Sequence, residues 1–162
     1  MNDAQAKEFL KTLRQELRTE HFMIIGILGC EHHFPFAYTV GMSRTLGFEL
    51  YMIGLDNPQY TEVFLNRVGE RLLEEPIPDL ELINGIASVP FRLKTYPFNP
   101  EELGPLITAM DLTPPSIRVL EWPDKHGRWP GDFAYSAECP QTPLCIGRTT
   151  ATNRQTGKPC DH

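Results

Sequence analysis

The sequence predicts an α+β domain, a mainly antiparallel sheet with about three helices packed on it, and three observations carry that expectation. Residues 3–19 and the stretch opening at Asn57-Pro58 both repeat apolar residues at the helical period behind a capping signal. Three short β-rich runs, 21–28, 36–42 and 48–55, follow one another between them. The full order of helix, three strands, helix, strands, helix, strand lacks the strict strand–helix alternation that builds a parallel sheet.

Each element has a local reason. In 3–19, Asp3 is positioned to cap, and Phe9, Leu10, Leu13 and Leu17 form one stripe opposite lysine and arginine. The run His21-Phe22-Met23-Ile24-Ile25-Gly26-Ile27-Leu28 is too continuously apolar for a strand with one wet face, which predicts a central strand. Gly29 to Pro35 make a turn, Phe36 to Met42 a second strand, Ser43 to Gly47 a loop, and Phe48 to Leu55 a third strand in an antiparallel meander. Asn57 followed by Pro58 starts a helix whose Tyr60, Phe64, Val68 and Leu72 step down one face, and Pro76 ends it. Ile83–Ala87 and Val89–Leu93 read as strands, the second demoted to an edge by Pro90. Asn99-Pro100-Glu101-Glu102 opens a third helix with Leu103, Leu106, Ile107 and Met110 on one face, and the helices are expected on one side of the sheet. Pro114-Pro115 breaks that helix, and Ser116 to Trp122 alternates as the last strand.

Residues 1–136 are therefore expected as a single α+β domain, and 137–162 as an irregular or disordered tail holding three of the four cysteines. No apolar run approaches the roughly 18 residues of a membrane span, and the N-terminus lacks a basic stretch followed by an apolar one, so a cytoplasmic location without membrane contact is expected. The net charge of −6 argues against a nucleic-acid partner, which would call for a basic stripe. Without a secretory signal, Cys30, Cys139, Cys145 and Cys160 are expected as free thiols. Their spacing, with His32, His33 and His162, fits zinc poorly, and neither a metal nor another cofactor is expected.

The strand Phe36-Ala37-Tyr38-Thr39-Val40-Gly41, the strand ending Tyr51-Met52-Ile53-Gly54-Leu55, and the loop Trp122-Pro123-Asp124-Lys125-His126-Gly127-Arg128-Trp129-Pro130 stand in one order. Together they resemble a bacterial family of short proteins described only as a domain of unknown function, over about residues 20 to 132. Members of that family share an aromatic-Ala-Tyr-Thr-x-Gly strand and a Trp-Pro-Asp-x-x-Gly loop; here Gly131 and Asp132 follow the second proline, where the family pattern has another aromatic. The resemblance implies a fold and no reaction.

The Trp122–Trp129 loop concentrates chemistry. Asp124 and His126, two residues apart, are candidates for a catalytic acid–base pair, with Arg128 as a clamp for an anionic substrate. Turn chemistry explains the same residues more economically: Asp124 caps the turn, His126 faces water and Arg128 stacks on a tryptophan. His21, Tyr38, Trp122, Arg128 and Trp129 are the candidate ligand-binding residues, with Tyr38 and Tyr51 lining a concave sheet face closed by the tryptophans. Cys30-Glu31-His32-His33 is read as a solvated turn, since a reactive Cys30 needs a nearby cation. Neither a GxSxG elbow nor a phosphate-binding or dinucleotide-binding glycine motif occurs. The expected function is the binding of a small molecule or a partner segment in a pocket between the FAYTVG strand and the WPDKHGR loop. A small hydrolase or transferase using Asp124 and His126 is the alternative.

Overall fold

The computed structural model describes residues 2–99, 107 and 110–146. It opens with helix α1 (Asp3–Glu16), whose cap is Asn2, one residue earlier than expected. Asn2 accepts the Gln5 N–H at 2.9 Å and the Gln5 side chain accepts the Asn2 N–H at 2.9 Å, so two otherwise orphaned donors are satisfied reciprocally. Asp3 becomes the first-turn acid, where its charge favours the helix dipole.

Strands β1 (Met23–Ile27), β2 (Phe36–Val40) and β3 (Phe48–Ile53) form the expected antiparallel meander, with Ile25 opposite Tyr38 and Tyr38 opposite Tyr51. The stretch between β2 and β3 is one turn of helix, α2 (Ser43–Leu46), ended by Gly47 at φ +82°. Helix α3 (Pro58–Glu74) starts as predicted, the Asn57 side chain accepting the N–H groups of Gln59 and Tyr60. Two further strands, β4 (Arg92–Pro97) and β5 (Ser116–Glu121), complete a sheet ordered β1-β2-β3-β5-β4, with β3 and β5 parallel and every other pair antiparallel.

Of the two strands expected here, Ile83–Ala87 does not form and Val89–Leu93 is displaced to Arg92–Pro97. Ile83 and Phe91 form only an isolated bridge, and the ladder runs over 92–97, where one half-wet face hides the strand among charged residues. β1 is an edge strand, not a central one. Its apolar run has another cause: successive strand residues feed two separate cores, one on each face of the sheet. Met23, Ile25, Tyr38, Val40, Tyr51 and Val119 face one core with Leu13 of α1 and Leu17 at its C-cap. Ile24, Ala37, Leu50, Met52 and Leu120 face the other with Leu65, Val68 and Leu72 of α3. The helices therefore cover both faces, and a strand read as doubly buried need not be flanked on both edges.

Of the third predicted helix, opened at Asn99 and broken by Pro114-Pro115, only residues 99, 107 and 110–113 are among the described residues; Ile107 and Met110 are buried in the α1-side core. Residues 147–162 of the predicted tail also lie outside them. Its described part, 137–146, is irregular backbone plus a 3-10 turn at Pro143–Cys145, and it fills the α1-side core with Cys139, Cys145 and Ile146.

A buried carboxylate pins the β2–β3 connection. Glu49 Oε1 accepts from the Thr39 hydroxyl at 2.9 Å and the Met42 N–H at 3.0 Å, and Oε2 accepts from the N–H groups of Gly41 and Ser43, each at 3.1 Å. Burial pushes the Glu49 carboxyl up, and these hydrogen bonds offset part of that shift.

Candidate functional site

The loop after β5 is held from within by Asp124. Its Oδ1 accepts from the N–H groups of His126 and Arg128, each at 2.9 Å, and its Oδ2 from the Ser136 N–H at 2.8 Å and hydroxyl at 2.9 Å. Partial burial pushes the carboxyl up. The N–H groups of Arg128, Ser136 and His126 and the Ser136 hydroxyl outweigh it, holding the group well below the usual carboxylate range. Each oxygen thus already serves two loop donors, and the His126 ring is not among the partners of Asp124. His126 and Arg128 are exposed; the Arg128 guanidinium donates to the Ala134 carbonyl at 2.8 Å. The guanidinium that stacks on Trp129 belongs to Arg92, 4.5 Å from the ring centroid, while its Nε donates to the buried Glu121 carboxylate at 2.8 Å. Arginine–tryptophan stacking was legible in the loop; its donor came from another strand.

The remaining candidates are dispersed. Tyr38 is buried in the α1-side core and stacks on Tyr51 at 5.0 Å between centroids and 12° between planes. Burial pushes its phenol up to about 12. Trp122 packs against the α3-side core, so Tyr38 and Trp122 serve opposite faces of the sheet. His21 is exposed ahead of β1, and its carbonyl accepts from Arg44 at 3.1 Å. Cys30 is disulfide-bonded rather than a free thiol, which removes it as a nucleophile.

Two arrangements went unread in the sequence. Gln141, buried to 1 % exposure, clamps the start of the loop: its Oε1 accepts the Trp122 N–H at 3.0 Å, and its Nε2 donates to the Trp122 carbonyl at 3.0 Å and to the Tyr135 hydroxyl at 2.8 Å. Beside it the free thiols of Cys139 and Cys145 lie 3.4 Å apart, buried against β3 and Gly54. The signal for the pair was the five-residue spacing of two cysteines in an otherwise polar stretch; nothing local marked Gln141.

A third feature is the groove beside β1. A cleft of about 150 Å³ is lined by Ile24, Gly26, Phe36, Ala37, Leu55 and Thr61, among others. A shallower depression of about 360 Å³ continues from it past Phe22 and Met23, sharing Ile24 and Glu62. Exposed acids rim both: Glu16, Glu20, Asp56 and Glu62. The two sheet edges differ. At β4 the outer edge is closed by the preceding segment, Leu80 N–H donating to the Leu93 carbonyl and Thr95 N–H to Asp79. At β1, among the described residues, the backbone hydrogen bonds run to β2 alone.

No helix of the described residues is long and apolar enough to cross a membrane. A family model with the description "Domain of unknown function (DUF4262)" matches residues 16–136, from the end of α1 through the Asp124 loop. No curated protein and no solved structure matches the chain.

Proposed function

The chain belongs to the DUF4262 family, a membership that brings no reaction with it, and we propose that it is a non-catalytic recognition domain that takes an extended partner segment along the outer edge of β1. One observation carries this reading: β4 is closed by the segment that precedes it, whereas the outer edge of β1 has no backbone partner among the described residues and lies beside a cleft lined mainly by apolar side chains. Open strand edges are the natural template for strand addition. Met23-Ile24-Ile25-Gly26-Ile27 carries none of the charges or prolines that commonly block such an edge.

The groove's size favours a segment over a small molecule. Pockets for small ligands usually occupy about 300–1,000 Å³; the cleft holds about 150 Å³, suited to one apolar side chain of a bound strand, and the depression of about 360 Å³ beyond it is more open and lined largely by polar side chains such as Glu16, Thr19, Glu20 and Asn66. The acidic rim favours basic residues at the alternate positions. Phe36 and Ala37 of the FAYTVG strand contribute to this surface; the Trp122–Arg128 loop does not line it.

The test is a titration with a synthetic peptide alternating valine and lysine, read by amide shifts in the folded protein. The expected result is saturable shifts centred on residues 23–28, weakened about tenfold by Glu62→Lys, a change at an exposed position. Shifts confined to other surfaces, or equal binding of a valine–glutamate peptide, would overturn the reading. A turnover that His126→Ala abolishes in a normally folded variant would replace it with the enzyme alternative.

A further inference from the structure

We propose that Cys139 and Cys145 form a peroxide-sensitive dithiol that closes to an intramolecular disulfide, a modification site distinct from the β1 groove. The two sulfurs are already in van der Waals contact at 3.4 Å, and both are free. A disulfide is about 2.05 Å long, so closure requires an approach of little more than an ångström. The segment between them is short and irregular, with the 3-10 turn at its end, so the rearrangement falls on a loop and leaves the sheet ladder alone.

The two thiols are not equivalent. The Cys139 thiol donates a hydrogen bond to Cys145 across the 3.4 Å contact and lowers its pKa, with further help from Thr142 and the Gln141 N–H against the cost of burial. Cys139 is pushed up by that same hydrogen bond, by burial and by the charge on Cys145. Cys145 is therefore the thiolate and Cys139 the thiol that resolves it. Cys145 is 1 % exposed and Cys139 7 %, which excludes bulky disulfide reagents from the native fold and leaves a small neutral oxidant as the fitting co-reactant.

The step balances with hydrogen peroxide. The Cys145 thiolate attacks one peroxide oxygen, forming an S–O bond as the O–O bond breaks. Hydroxide leaves and takes a proton from solvent, giving Cys145 sulfenic acid and one water. The Cys139 sulfur then attacks the Cys145 sulfur; the S–S bond forms, the S–O bond breaks, and hydroxide leaves with the Cys139 proton as a second water. The two sulfurs lose two electrons in total, and one peroxide is reduced.

Both cysteines lie between Arg128 and Arg148 with neither lysine nor arginine intervening, so one tryptic peptide reports on the pair. The experiment exposes native protein to hydrogen peroxide, then denatures, alkylates, digests and weighs that peptide. The expected product is lighter by two hydrogens and takes up no alkyl group. With dimedone present as the protein is denatured, Cys139→Ser is trapped as sulfenic acid at Cys145; in Cys145→Ser, labelling of Cys139 is lower by about tenfold, because burial still holds its thiol protonated once Cys145 is gone. Recovery of both cysteines alkylated, after peroxide that oxidises an exposed reference thiol, would overturn the proposal. So would equal labelling of Cys139 in Cys145→Ser. Should either variant fail to fold, the wild-type peptide alone decides.

Discussion

The carboxamide of Gln141 closes on both backbone groups of Trp122, accepting its N–H and donating to its carbonyl, each at 3.0 Å. That geometry copies one rung of a β ladder with a side chain, and it ties the 137–146 segment to the end of β5. Gln141→Ala leaves the Trp122 groups and the Tyr135 hydroxyl without these partners in a buried site, so the expected loss is about 2–4 kcal/mol in a denaturant titration. Gln141→Glu is expected to cost a similar amount, because a carboxylate cannot donate to the Trp122 carbonyl.

Glu49→Gln should be destabilising although it removes a buried charge. Both carboxylate oxygens accept two donors, and a carboxamide must turn its NH₂ toward one of those pairs. Donor facing donor is expected to cost about 2–3 kcal/mol, read as a lower denaturation midpoint with unchanged slope. An unchanged midpoint would show that Glu49 is not the pin of the β2–β3 connection.

Gly54→Ala and Gly127→Ala separate crowding from backbone strain. Both glycines have positive φ, +97° and +77°. A Cβ on Gly54 would meet Cys139 Sγ at 2.8 Å, whereas at Gly127 nothing lies within 4 Å. The exposed loop position should cost about 1 kcal/mol of left-handed strain, and the half-buried, crowded one about 2–4 kcal/mol once overpacking is added. Equal thermal shifts in the two variants would contradict the packing of the cysteine segment against β3.

Asp124 sets an acid limit for the loop. Its folded pKa lies below its unfolded value of about 3.9, so its contribution is fully present above that value and is lost as pH falls through the lower folded one. The stability difference between wild type and Asp124→Asn should therefore be constant from neutrality to about pH 4 and shrink below it. Tryptophan fluorescence is a direct readout, since Trp122 and Trp129 bracket the loop. His126→Ala, at an exposed position with no ring contact to Asp124, is expected to leave that profile unchanged.

Capping signals and period-2 patterns are local, and elements resting on them were legible. Asn57-Pro58 marked α3, and the runs at 21–28, 36–42 and 48–55 marked the meander. Where a residue's role depends on a distant partner, local pattern was silent or misleading. The doubly apolar β1 reads as a central strand because burial on two faces is independent of pairing on two edges. Arg92, reaching Trp129 from an edge strand, took the place expected for Arg128.

The candidate site divides along the same line. Asp124 as a turn cap follows from residues within its own loop, where chain connectivity guarantees proximity, and only the Ser136 contacts come from farther along the chain. Placing Tyr38 and Trp122 on opposite faces, bringing Gln141 to Trp122, seating Cys139 on Gly54 and leaving β1 open while β4 is closed are all long-range outcomes. They depend on how two cores share one sheet. The chain's local chemistry determined the α+β class, the helix starts and the self-capped loop, because those interactions span a few residues. The tertiary structure decided which side chains meet, because contacts across the sheet and between its edges are set by collective packing that short-range pattern does not encode.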